Sequence, residues 1–332
     1  MATMRAGIYK GKLQAEVVDM PKPEIGPNDV LVKTVRSSIC GSDVGGVGVE
    51  AGIQFGHETA GYVAGIGKEV KGFKEGDRVW INPMNAMPKY KTCMLGGFSE
   101  YIRVPDAKLN YNLFLLPDTI SWDEASLIEP FGVGTRGKNR PGARTGDHVV
   151  VYGAGSIGLF CISGLIAQGI KPVVVDIALS DYKRALLEKM GAVICPLNED
   201  KFEFLKGHFG ELPQRQSGMA IDVDIVVDCA GAPNIIEDFF KLCKPNARLS
   251  VVGVNMRPQE VNLARLMSAE VVMMGSSGYD LSDIEEVIDN LANKRTFVTD
   301  IITHHFSLEQ LNEALNMAAD REKSIKVVVD MA

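Results

Sequence analysis

His148-Val149-Val150-Val151-Tyr152-Gly153-Ala154-Gly155-Ser156-Ile157-Gly158 decides how this chain folds. A short apolar run meets three glycines at G-x-G-x-x-G spacing, and an apolar stretch continues to Ile170. Strand, tight turn and helix in that order are the context the glycine pattern requires. The glycines permit a sharp turn and close approach of the backbone to a pyrophosphate, which the helix N-terminus stabilises. Val149 to Ile170 is long enough to resemble a membrane span. However, Gly153, Gly155, Gly158, Gly164 and Gly169 interrupt the run, and no second span follows. Strand, turn and core helix account for every one of those glycines.

Outward from this turn, short apolar strands alternate with helices. The strands are read at His148–Tyr152, Pro172–Asp176, Ala192–Cys195, Asp224–Asp228, Leu249–Gly253 and Val271–Met274. Helices between them are expected at Ile157–Gln168, Tyr182–Met190 and Asn234–Leu242. Such alternation implies a parallel sheet covered on both faces, and six strands complete a doubly wound dinucleotide fold. Asp176 closes the second strand, where a carboxylate accepts hydrogen bonds from adenosine ribose hydroxyls and repels a 2′-phosphate. Ile177-Ala178-Leu179 follow with no arginine, so NAD is favoured over NADP. The candidate cofactor residues are therefore Gly153, Gly155, Ser156, Ile157, Gly158 and Asp176.

The part before residue 129 reads as β-rich and irregular, with runs such as Val30–Val32, Tyr62–Ala64 and Arg78–Ile81 between Gly, Pro and Asp clusters. After Gly275 a helix, Asp283–Asn293, and a strand, Ser324–Asp330, are too short to be a domain and are expected to pack on that first part. The expected division is thus 1–128 with 276–332, and 129–275. Bulk properties agree with two soluble domains: 332 residues, 46% hydrophobic and 23% charged. A net charge of −7 argues against nucleic acid or an anionic membrane as partner. The start lacks the apolar core of a signal peptide and the six cysteines show no C-x-x-C spacing, so a reduced cytoplasmic setting is expected.

Cys40-Gly41-Ser42-Asp43 and Gly56-His57-Glu58 put a thiol, an imidazole and carboxylates in one short window. Three such ligands can hold a zinc ion and leave its fourth position open, as catalytic sites require. Glu58 is open to a second reading, as a partner of the ligands and not a ligand itself.

With both signals in place, the chain resembles the zinc-dependent medium-chain dehydrogenase/reductase family over essentially its full length. Gly56-His57-Glu58 with Gly61, Gly67 and Val70 resembles the family's zinc signature, and Cys40-Gly41-Ser42-Asp43 its first-ligand loop. Gly96–Tyr101 and Ile302-Thr303-His304 are similar too, and Glu129-Pro130 resembles the sorbitol and polyol dehydrogenase branch. The resemblance implies a GroES-like β-rich catalytic domain joined to the six-stranded Rossmann domain. It also implies Cys40, His57 and Glu58 as zinc ligands, with Glu129 as a further ligand or a partner of the zinc-bound water. Asp43 would orient His57, and Ser42 would contact the substrate oxygen and pass its proton outward. A homodimer or homotetramer is implied as well.

Two features depart from the family. Asn82–Gly96 carries only Cys93 where relatives hold a structural zinc with four cysteines, so one catalytic zinc and no structural zinc are expected. Gly45 stands where related enzymes often carry a relay histidine. His148, His208, His304 and His305 fit no ligand spacing and read as ordinary surface or edge residues. The leading expectation is NAD-dependent interconversion of a polyol, sugar-derived or other secondary alcohol with its ketone. A threonine-type dehydrogenase and a non-catalytic NAD(H)-binding protein are the alternatives.

Overall fold

The computed structural model describes residues 2–86, 95–213 and 218–331. The chain divides into two compact units, residues 1–130, 291–294 and 298–332 in the first, and 131–290 with 295–297 in the second.

The first unit is built on a seven-stranded mixed sheet. Its order is Ile302–Ser307, Lys326–Asp330, Val30–Ser38, Glu58–Ile66, Arg78–Ile81 and Leu113–Leu115, with Tyr101–Val104 also paired to Val30–Ser38. Alternation along Val30–Ser38 and its neighbours places Val30, Val32, Val63, Val79 and Ile81 in one core. A hairpin, Thr3–Gly11 with Gln14–Pro21, contributes to a second core around Phe55, Phe98, Leu311 and Leu315. Register matters most at one end of the sheet. Ser38 lies opposite Glu58, and Val328 pairs with Ser38, which brings the head of the Lys326–Asp330 strand to the same place.

The second unit holds six parallel strands in the order Val193–Ile194, Val173–Val175, Val149–Tyr152, Val223–Asp228, Cys243–Val251 and Val272–Gly275. That is the 3-2-1-4-5-6 order of a doubly wound dinucleotide fold. The fold class is therefore the expected GroES-like domain plus six-stranded Rossmann domain. The fifth strand begins at Cys243, earlier than its apolar run suggests, and a helix at Lys201–Phe209 precedes a hairpin of Glu211–Pro213 and Met219–Ile221. No helix among the described residues is long and apolar enough to cross a membrane.

The division differs from the sequence reading at both boundaries. Residues 276–290 and 295–297 lie with the second unit, not the first, and 129–130 lie with the first. Part of the cause is polar. Arg136 pairs with Asp280 and Asp283, Asn139 donates to Asp283 and Glu286 at 2.8 Å each, and Lys138 meets Glu286 at 2.8 Å. Hydrophobic periodicity carries no trace of such contacts.

Candidate metal centre

Cys40 follows the strand Val30–Ser38 and caps the short helix Gly41–Gly45. The Asp43 carboxylate accepts from the Cys40 backbone N–H at 2.9 Å, closing a turn that buries Asp43 completely. Half-buried Ser42 lies in the same turn. His57 precedes the strand Glu58–Ile66. The residue before it must be glycine: Gly56 has φ +91°, and a Cβ there would sit 2.8 Å from the Phe98 ring.

These elements bring Cys40, His57 and Glu58 together, with one ligand atom from each within 4.8 Å of the others. His57 and Glu58 are buried. The His57 Nδ1 faces an Asp43 oxygen at 3.8 Å, and neither atom has a hydrogen-bond partner among the described residues. An imidazole whose Nδ1 points at a buried carboxylate presents Nε2 as a ligand, the arrangement that fixes tautomer and ring orientation in metal sites. Thiol, imidazole and carboxylate at this spacing fit a zinc ion.

Glu129, in the first turn of the helix Ile128–Asn139, is buried and stands outside the 4.8 Å set. Its charge nonetheless bears on His57 and Glu58. Burial and the neighbouring Glu58 push its carboxyl up to about 7, against the pull of His57 and Lys326. Burial likewise raises Asp43 to about 6, with His57 opposing. For His57 burial acts downward, but its bond to Cys40 and the charges of Asp43 and Glu129 carry it well above the usual imidazole value.

Two residues of this site escape sequence reasoning. Lys326 is buried, with Nζ 2.7 Å from Glu58 Oε1, 2.5 Å from Oε2 and 2.9 Å from the Ile39 carbonyl. The ammonium thus donates to Glu58 and to the Ile39 carbonyl while its charge faces both oxygens of Glu58. Ser38 donates to Glu58 Oε2 and lies 3.1 Å from the Ser126 carbonyl. A lysine heading a short strand reads as a surface residue, and a serine inside one carries no signal. Burial raises the stakes of both. At Gly45 a Cβ would meet nothing closer than the Val47 side chain at 3.5 Å, so bulk does not demand glycine there.

In the second unit, Gly153 has φ +92° and a Cβ on Gly158 would fall 1.9 Å from the Gly153 carbonyl oxygen, whereas one on Gly155 would meet nothing within 4 Å. Gly155 caps the helix Ser156–Ala167, so Ser156 and Ile157 form its first turn. Asp176 accepts from the Ala154 N–H at 2.5 Å and from Ala178 at 2.7 Å, placing its carboxylate against the glycine turn. One expectation about histidines changes. His148 does sit in a ligand-spaced group with Asp222 and Asp224, but Lys244 lies 2.5 and 2.7 Å from those carboxylates and pairs with both. Cys93 and part of the stretch Asn82–Gly96 lie outside the described residues.

Comparison with known proteins agrees in both units. The alcohol dehydrogenase GroES-like domain matches residues 26–118 and the zinc-binding dehydrogenase domain residues 156–293. The sorbitol dehydrogenase of Bacillus subtilis (strain 168) is 26% identical, covering 98% of this chain and 97% of its own. An L-threonine 3-dehydrogenase of Enterobacter sp. (strain 638) is 28% identical, covering 92% and 94%. The crystal structure of 2R,3R-butanediol dehydrogenase from Bacillus subtilis superposes with a TM-score of 0.84 at 22% identity, covering 99% and 100%.

Proposed function

The chain belongs to the zinc-dependent medium-chain dehydrogenase/reductase family, and from that premise we propose that it moves a hydride between NAD and a polyol or sugar-derived secondary alcohol. The observation that carries the proposal is the convergence of Cys40, His57 and Glu58 within 4.8 Å, in a setting with the orphaned Asp43–His57 pair. Zinc held there would supply a Lewis acid for the substrate oxygen, and NAD bound in the second unit would supply the hydride acceptor.

The chain's own residues do the rest. Cys40 and His57 hold the metal, with Glu58 and Glu129 as the two carboxylates able to complete or support its shell. Asp43 keeps His57 in one tautomer and orientation. Ser42 would meet the substrate oxygen and take its proton outward by a route that does not use residue 45, since Gly45 offers no imidazole. Asp176 at the glycine turn supports NAD over NADP. One catalytic zinc without a structural one remains our reading, resting on the lack of a four-cysteine set in Asn82–Gly96. Free thiols at Cys40, Cys161, Cys195, Cys229 and Cys243 suit a reduced, cytoplasmic setting.

The test is NADH formation from a panel of polyols, sugar acids, secondary alcohols and L-threonine, with and without a strong zinc chelator. Turnover on polyols that the chelator abolishes is expected. Turnover on L-threonine alone would move the substrate class. Retained zinc with no turnover would point to a non-catalytic NAD(H)-binding protein, and chelator-insensitive turnover would overturn the metal reading.

A further inference from the structure

The strand Lys326–Asp330 supplies no member of the ligand-spaced group, yet it touches two of the three arms that carry it. Ile39, the residue before Cys40, is held at both ends of its backbone. Its N–H donates to the Val327 carbonyl at 2.9 Å, and its own carbonyl accepts from Lys326 Nζ at 2.9 Å. The same Nζ donates to Glu58 Oε1 at 2.7 Å. One ammonium therefore joins the backbone that leads into Cys40 to the side chain of Glu58. Lys326 is only 4% exposed and Glu58 is fully buried, so water does not replace these bonds when they are lost.

We propose that Lys326 is a positioning residue that braces Cys40 and Glu58 against each other, so that the two ligands that bind as anions are held at coordination spacing in the metal-free chain. The brace rests on the metal-site reading above, with Cys40, His57 and Glu58 as the ligands. Charge alone does not account for a lysine at this place. An ammonium bonded to a ligand repels the cation which that ligand binds, so its Coulombic effect works against loading. What Lys326 supplies is position. Two hydrogen bonds from one head fix acceptors on two different elements, and bonds of this kind set the orientation of metal ligands. Without Lys326 the turn at Cys40 and the Glu58 carboxylate lose their common anchor. The Val327 carbonyl still holds the Ile39 N–H in that case, so the loss is local to the site.

Cobalt(II) loading of the zinc-stripped full chain tests this independently of turnover. Its absorption has two parts: near-ultraviolet charge transfer from the thiolate, which reports Cys40, and visible bands that report the whole ligand set. Lys326→Met keeps the stem and removes both bonds. It is expected to lose charge-transfer intensity together with a shift of the visible bands, and Lys326→Arg, which can bridge the same acceptors, should restore both. If Lys326→Met does not fold, Lys326→Gln serves in its place. Its side chain is neutral and one bond shorter, so it falls short of the two acceptors and should give the same loss. Val329→Ala, in the buried core of the same strand, loosens that strand away from the site and should leave the spectrum unchanged. A wild type that takes up no cobalt would sink the metal reading and the brace together. With a wild type that loads normally, three results would overturn the brace alone. The Lys326→Met or Lys326→Gln spectrum stays as in the wild type; the visible bands shift while charge transfer is intact, so that Lys326 acts through Glu58 only; or Val329→Ala gives the same change as Lys326→Met.

Discussion

At the scale of single residues the site is a problem in buried charge. Lys326 is an ammonium nearly free of solvent whose partner carboxylate is wholly buried, and removing one member of such a pair strands the other. Lys326→Met should therefore lower the unfolding free energy by about 3–5 kcal/mol, while Lys326→Arg should keep most of it. Urea unfolding of the two variants measures both, and equal losses would show that the pair is not what matters. His57→Ala should lose both bound zinc and turnover, read by metal analysis beside NADH formation; full activity without metal would end the proposed chemistry.

The pH dependence of the zinc-stripped chain follows from the same charges. Glu129 titrates at about 7 in the fold against 4.5 for an ordinary glutamate, so between those values the folded state binds more protons than the unfolded one. Stability then falls as pH rises from about 4.5 to about 7. Asp43, raised to about 6, and His57, raised well above the usual imidazole, act with the same sign. Zinc binding requires ionised carboxylates and a neutral imidazole, so metal should oppose this loss most strongly at neutral pH. Melting of stripped and zinc-loaded chain across pH 4.5–7.5 checks it: parallel curves would contradict the assignment.

At the scale of elements, the glycine turn separates two demands that the motif alone does not distinguish. Gly158 is required by the fold, since its Cβ would strike the Gly153 carbonyl, whereas Gly155 faces open space where a pyrophosphate is expected to approach. Gly158→Ala should lower the melting temperature sharply. Gly155→Ala should leave melting unchanged yet weaken NADH binding, read by nucleotide fluorescence. The strands of the Rossmann sheet were legible because each is a compact apolar run, and Cys40, His57 and Glu58 because their spacing is specific. The helix Lys201–Phe209 was not: KFEFLKGHF mixes apolar and charged residues with little separation into faces. The placement of 276–290 was not either, because the contacts that hold it, polar ones from Arg136, Lys138 and Asn139 and apolar ones at Gly132, are long-range. Ser38 and Lys326 became meaningful only through strand register, a long-range property that no local pattern encodes.

At the scale of the whole molecule, the second unit leaves one edge of its sheet unfinished. Among the described residues, Val272–Gly275 pairs with Cys243–Val251 on one side only, and Val272 is 48% exposed. Beside it in sequence, the helix Leu263–Ala269 presents Leu263 and Met267 at 72% and 68% exposure, with no buried residue of its own. A free parallel edge next to exposed large apolar side chains is a liability that a second chain can cover. Two copies related by a twofold axis would set the same edge against itself, antiparallel, and bury both helices. We therefore expect a homodimer, or a tetramer built from it, by light scattering at micromolar concentration. Replacing Leu263 and Met267 together by glutamate would place like charges at that seam. The double variant should shift toward monomer while keeping its cobalt spectrum, because the metal residues all belong to the first unit. A wild type that is monomeric under the same conditions would remove the edge from consideration as a contact.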